Sequence, residues 1–281
     1  MTRLYGVVLG LLMVVVSMSG CGGPQELTIN FKGMVGDKAF SCSETYTDIG
    51  VNKTSFQPAD FRFYISNVRL VTTDDKEVAL TLTADEKWQY KNVAMLDFED
   101  KTGACEQGTP EMNSVVKGTV DGAYTYKAIK FDLGIPFDLN HQDVTKAPAP
   151  LNQTPLFWSW QLGYRFLKID LKVEGLEKGF RMHLGSTGCQ GEKENVTGCN
   201  EPNRVEITLN NFDPTKNAIV FDLAKLFANS EIDKNTKDTS PGCMSFTEDP
   251  DCAPLFKNLG LKYESKETDP STQTAFGVVA Q

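Results

Sequence analysis

The chain has 281 residues, 40% of them hydrophobic and 23% charged, which excludes an intrinsically disordered chain and a multispan membrane protein. Lys plus Arg total 28 against 37 Asp plus Glu, a net charge of −9. An acidic surface repels phosphate backbones, so nucleic-acid binding is excluded as the main activity. With only two histidines, no site within one chain can draw on three imidazoles.

Residues 1–20 read as a secretory signal peptide. Arg3 gives a positive start, and residues 4–16 form an apolar run too short to cross a bilayer comfortably. Met18-Ser19-Gly20-Cys21 then resembles a bacterial lipobox, in which the cysteine becomes the lipidated first residue. The plainer alternative is an ordinary signal peptide with Cys21 incidental. The lipobox reading leaves residues 21–26 as a tether and places the protein in the bacterial cell envelope, on the periplasmic side or surface of the outer membrane. No later stretch approaches eighteen consecutive apolar residues, so contact with the membrane is expected through lipid alone.

From residue 27 onward a two-residue hydrophobic period dominates. It runs through Leu27-Thr28-Ile29-Asn30-Phe31, residues 61–71, 78–82, 128–133, 166–173 and 205–209, separated by Gly, Pro, Asn and Asp clusters. One short helix is expected at residues 221–228. The expected fold is an all-β antiparallel β-sandwich with long loops, one domain over residues 27–263, followed by a frayed polar tail at 264–281.

Setting Cys21 aside leaves Cys42, Cys105, Cys189, Cys199, Cys243 and Cys252. An even number in an exported chain reads as disulfides, and six cysteines allow fifteen pairings. The economical set is Cys42–Cys105, Cys189–Cys199 and Cys243–Cys252. A thiolate metal site is the competing reading, disfavoured because no Cys-x-x-Cys pair exists.

Motifs of nucleotide binding and hydrolysis are absent: no Walker A loop, no Gly-x-Ser-x-Gly and no His-Glu-x-x-His. The chemistry-bearing candidates are few. His141 and His183 offer imidazoles, the commonest ligands of copper and zinc outside the cytosol. Trp158 and Trp160 would share one face of a strand, as a core pair, a sugar platform or a redox site.

Five blocks in order resemble a known family. They are residues 61–68 (Phe-Arg-Phe-Tyr-Ile-Ser-Asn-Val), 136–141 (Pro-Phe-Asp-Leu-Asn-His), Phe157-Trp158-Ser159-Trp160-Gln161 with Lys168-Ile169-Asp170, 183–189 (His-Leu-Gly-Ser-Thr-Gly-Cys) and the Cys243/Cys252 pair. Together they look like the MbnP family, the metallo-mystery pair proteins with a four-Cys motif. The resemblance implies an exported copper-binding protein and no catalytic activity. It implies a partner, a dihaem c-type cytochrome peroxidase of the MauG/MbnH-like kind, that converts a tryptophan of the Trp-x-Trp motif to kynurenine. It makes Trp158 or Trp160 the modified residue and His141 and His183 the copper ligands. The sequence departs from the family in lacking a third imidazole and in carrying two further cysteines, Cys42 and Cys105. The alternative functional reading is a metal-free cell-surface binding or adhesion sandwich for a glycan or protein ligand.

Overall fold

The computed structural model describes residues 23–192 and 195–281, so the expected signal peptide and lipidation site, Cys21, lie outside the described residues. Two sheets pack face to face. The larger has the order Phe180–Leu184, Leu167–Val173, Thr54–Thr72, Tyr126–Leu133, Val205–Asn210. The smaller has the order Phe276–Ala280, Asn217–Asp222, Pro24–Val35, Val115–Asp121, Thr81–Leu82. The pairing is antiparallel apart from Pro24–Val35 with Asn217–Asp222, which run parallel.

Two-residue periodicity builds the core. On the long strand Thr54–Thr72, Phe61, Phe63 and Ile65 face the smaller sheet. Phe61 and Phe63 meet Phe221 edge-on at 5.2 Å, and Phe63 reaches Phe276 at 5.9 Å. The alternate residues Asp60, Arg62, Tyr64 and Ser66 point the other way, yet all are buried. For Tyr64 the reason is a second layer. Residues 134–166 fold over this outer face and close a smaller apolar cluster of Tyr64, Val93, Met95, Ile135, Leu139, Leu151, Leu156, Tyr164 and Phe166. Tyr64 and Tyr164 donate their hydroxyls to the carbonyls of Pro150 and Leu151, pinning the covering segment.

Three disulfides join Cys42 to Cys105, Cys189 to Cys199 and Cys243 to Cys252. The helix expected at 221–228 is shorter: Phe221 and Asp222 end a strand, and the helix is Leu223–Leu226, capped by Asp222 accepting from the Ala224 amide. Two further helices, Phe137–Asn140 and Cys252–Leu259, were not expected, and the latter ends at left-handed Gly260. The segment 264–281 is not a frayed tail. Its strand Phe276–Ala280 pairs with Asn217–Asp222 and buries Phe276. No described helix is long and apolar enough to cross a membrane.

Candidate metal centre

The covering segment carries His141. The short helix Phe137–Asn140 ends at this residue, and Asn140 is buried beneath it. The Asn140 side chain accepts from the Tyr164 amide at 2.9 Å, tying the helix to the far side of the Trp-x-Trp turn. Gly163 closes that turn at φ +77°, where a Cβ would stand 2.4 Å from the Asn140 carbonyl oxygen. Only glycine fits both the left-handed backbone and the close approach. The His141 ring packs on Phe137 at 4.9 Å, with Nε2 3.2 Å from the Asn140 amide nitrogen and 3.6 Å from Cys199 Sγ. Its Nδ1 is buried without a hydrogen-bond partner. Burial holds the His141 pKa below the usual imidazole value, opposed by the backbone of Trp160 and Gln161.

His183 lies on the edge strand Phe180–Leu184, whose outer neighbour is the loop through Cys243. The His183 amide donates to the Cys243 carbonyl at 2.9 Å, and the Cys243 amide donates to Arg181 at 2.8 Å. The disulfide to the head of helix Cys252–Leu259 therefore anchors the histidine's flank. The His183 side chain is 4% exposed, and Nε2 lies 2.7 Å from Asp170 Oδ1. Nδ1 is buried with no partner. Burial lowers the His183 pKa against the pull of Asp170, so the ring is neutral at neutral pH.

Between the histidines runs the Trp-x-Trp segment. Trp158, on the strand Phe157–Ser159, presents its ring edge-on to His183 at 6.3 Å. The indole lies over Gly185, where a Cβ would come within 2.7 Å of the six-membered ring. Arg165 sits 5.2 Å from the indole, and Phe246 packs against it at 5.8 Å. Trp160 has already left the strand and begins the turn, so the two indoles do not share one strand face as the spacing suggested. Next to it, Gln161 donates to the Cys189 carbonyl at 3.1 Å, joining the turn to the Cys189–Cys199 hairpin. The segment thus has Trp158 against His183 and its turn against His141.

Among the described residues, one trio of His, Cys, Asp or Glu brings its ligand atoms within 4.8 Å: His141, Cys189 and Cys199. Both sulfurs are tied in a disulfide, so they offer no thiolate.

Beneath His183 lies a chain of charges, buried except for the part-exposed Asp170, three of whose members sit in the blocks quoted above but were given no role. Asp170 Oδ2 takes Lys168 at 2.9 Å, Lys168 also pairs with Asp60, and Asp60 takes Arg62 through two oxygens. Arg62 approaches Glu99 at 3.9 Å. Burial works against ionised Asp170, but His183 and Lys168 outweigh it and hold its carboxyl well below the usual range. Burial instead pushes Asp97, opposite Arg62 in the sheet, up to about 8. Alternate residues on a strand share a face, which was readable; that this face is roofed was not.

The comparisons agree with this architecture. The MbnP family model matches residues 24–245. Among solved structures, MbnP from Methylosinus trichosporium superposes with a TM-score of 0.82 at 28% identity, covering 92% of this chain and 99% of that chain. No curated protein matches.

Proposed function

The chain belongs to the MbnP family, and from that premise we propose that it is an exported copper-binding protein whose site is completed by oxidation of Trp158. The observation that carries this reading is the buried His183 Nδ1 without a hydrogen-bond partner, on a ring that stands against Trp158, with the His141 ring set against the turn of the same Trp-x-Trp segment. A buried polar atom left unsatisfied costs roughly 1–3 kcal/mol, and a metal ion removes that cost. Both rings have pKa values held down by burial, which keeps them neutral and able to coordinate. Imidazole nitrogen suits copper better than it suits hard cations.

In this reading His141 and His183 hold the ion, and copper supplies the binding chemistry for storage, transfer or redox use. The dihaem c-type cytochrome peroxidase oxidises the protein, which is its substrate and not a catalyst. Kynurenine would replace an indole with an aniline nitrogen and a ketone oxygen, donors that an indole lacks. Trp158 is favoured over Trp160 because its ring stands against His183. Three disulfides suit an oxidising compartment, and lipidation at Cys21 would tether the protein to the envelope membrane.

The test is copper titration of protein purified from its native host. One copper per chain is expected. His141→Ala and His183→Ala should each weaken binding by more than the roughly 10–100-fold typical of losing an outer-shell partner. Copper binding unchanged in both variants would overturn the assignment.

A further inference from the structure

Asp170 has no role in the copper reading above, yet it touches the one candidate ligand that is almost wholly buried. A carboxylate only accepts hydrogen bonds, so the ring nitrogen 2.7 Å from Asp170 Oδ1 must carry a proton. A neutral imidazole has one N–H. With Nε2 protonated, Nδ1 holds the lone pair, and this is the buried atom with no partner. We propose that Asp170 is a positioning residue that locks His183 as the Nε2–H tautomer and so makes Nδ1 its metal-donating atom; the metal half of this rests on the copper reading.

The sheet register builds the lock. Asp60 pairs with Asp170 across two strands, Arg62 pairs with Lys168, and Lys168 pairs with His183 on the next strand. These residues form one patch on the outer face of the large sheet. Each charge in it is held by the next: Arg62 grips Asp60, Asp60 and Asp170 share Lys168, and Asp170 holds the ring. With Lys168 on its second oxygen, the Asp170 carboxylate cannot turn away. Arg181 stands 4.0 Å from Asp170 Oδ1. Carboxylate–histidine–metal arrangements work this way: the outer partner fixes the tautomer, aims the ring and raises its basicity.

The first test uses the unmodified, metal-free protein. Two-dimensional NMR of protein labelled with nitrogen-15 at histidine reads which ring nitrogen bears the proton. The Nε2–H form of His183 is expected; the Nδ1–H form, or a mixture, would overturn the proposal. The second uses Asp170→Ala and Asp170→Asn, with Cu(I) titrated against a chromophoric chelator. The alanine variant should lose the tautomer preference and bind copper about 10–100-fold more weakly. The asparagine variant keeps a carbonyl oxygen for the N–H and should recover part of both. An alanine variant with unchanged tautomer and affinity would overturn the proposal. Absence of copper binding in the native protein, with the Nε2–H form present, would instead defeat the copper reading and leave the tautomer lock standing.

Discussion

At the scale of single residues, burial decides what each group can do. His183 and His141 are titratable groups kept neutral, while Asp97 is a carboxylate kept protonated. Its pKa rises to about 8 in the fold from an ordinary value of 3.8, burial outweighing Arg62. A carboxyl with a raised folded pKa stabilises the fold fully below its unfolded pKa, and this contribution is lost as pH climbs through the folded value. Thermal stability should therefore decline between about pH 4 and pH 8, and Asp97→Asn should remove much of that decline. Melting curves across this range check it; parallel curves for the two proteins would contradict it. The two histidines and two tryptophans were legible as candidates because so few residues of their kinds exist. Asp170 was visible only as part of the block Lys168-Ile169-Asp170 and without a role, because its contact with His183 depends on the pairing of two strands.

At the scale of elements, the site is a junction of three loops held by disulfides and close contacts. The hairpin of Thr187–Glu192 and Asn195–Glu201 sets Cys199 against His141. In the chain-entropy model a loop of this length contributes about 3 kcal/mol. Cys189→Ser with Cys199→Ser should lower stability by up to that amount, increase proteolytic cutting within 187–201, and weaken copper binding through His141. Denaturant melts and limited digestion check the first two effects, and titration the third. Gly163→Ala is expected to act on the same junction. Its Cβ would collide with Asn140 at a backbone angle that alanine resists, so a loss of about 2 kcal/mol is expected by denaturant melting. The strands were legible from their alternation. The turn at Trp160 was not, because spacing alone gave the two indoles one face, whereas the chain leaves the strand after Ser159.

At the scale of the molecule, the sandwich is closed by its last strand. The polar run after residue 264 hid the apolar Phe276, which meets Phe221 at 4.3 Å and Phe131 at 5.4 Å. Phe276→Ala should cost about 3–5 kcal/mol in denaturant unfolding, as for a buried core aromatic. An exposed tail residue would cost close to nothing. The fold class was legible because periodicity reports the sheets directly. The outer layer was hidden because residues 134–166 carry short turns and a proline-rich loop rather than a periodic pattern. That layer converts one face of an ordinary sheet into an interior and gives His183 a dry, oriented setting.

The most direct measurement of the central claim is peptide mass spectrometry of protein from the native host, covering residues 157–165. Kynurenine at position 158 and an intact indole at Trp160 are expected. Both tryptophans unmodified, in cells supplied with iron, oxygen and copper, would contradict it.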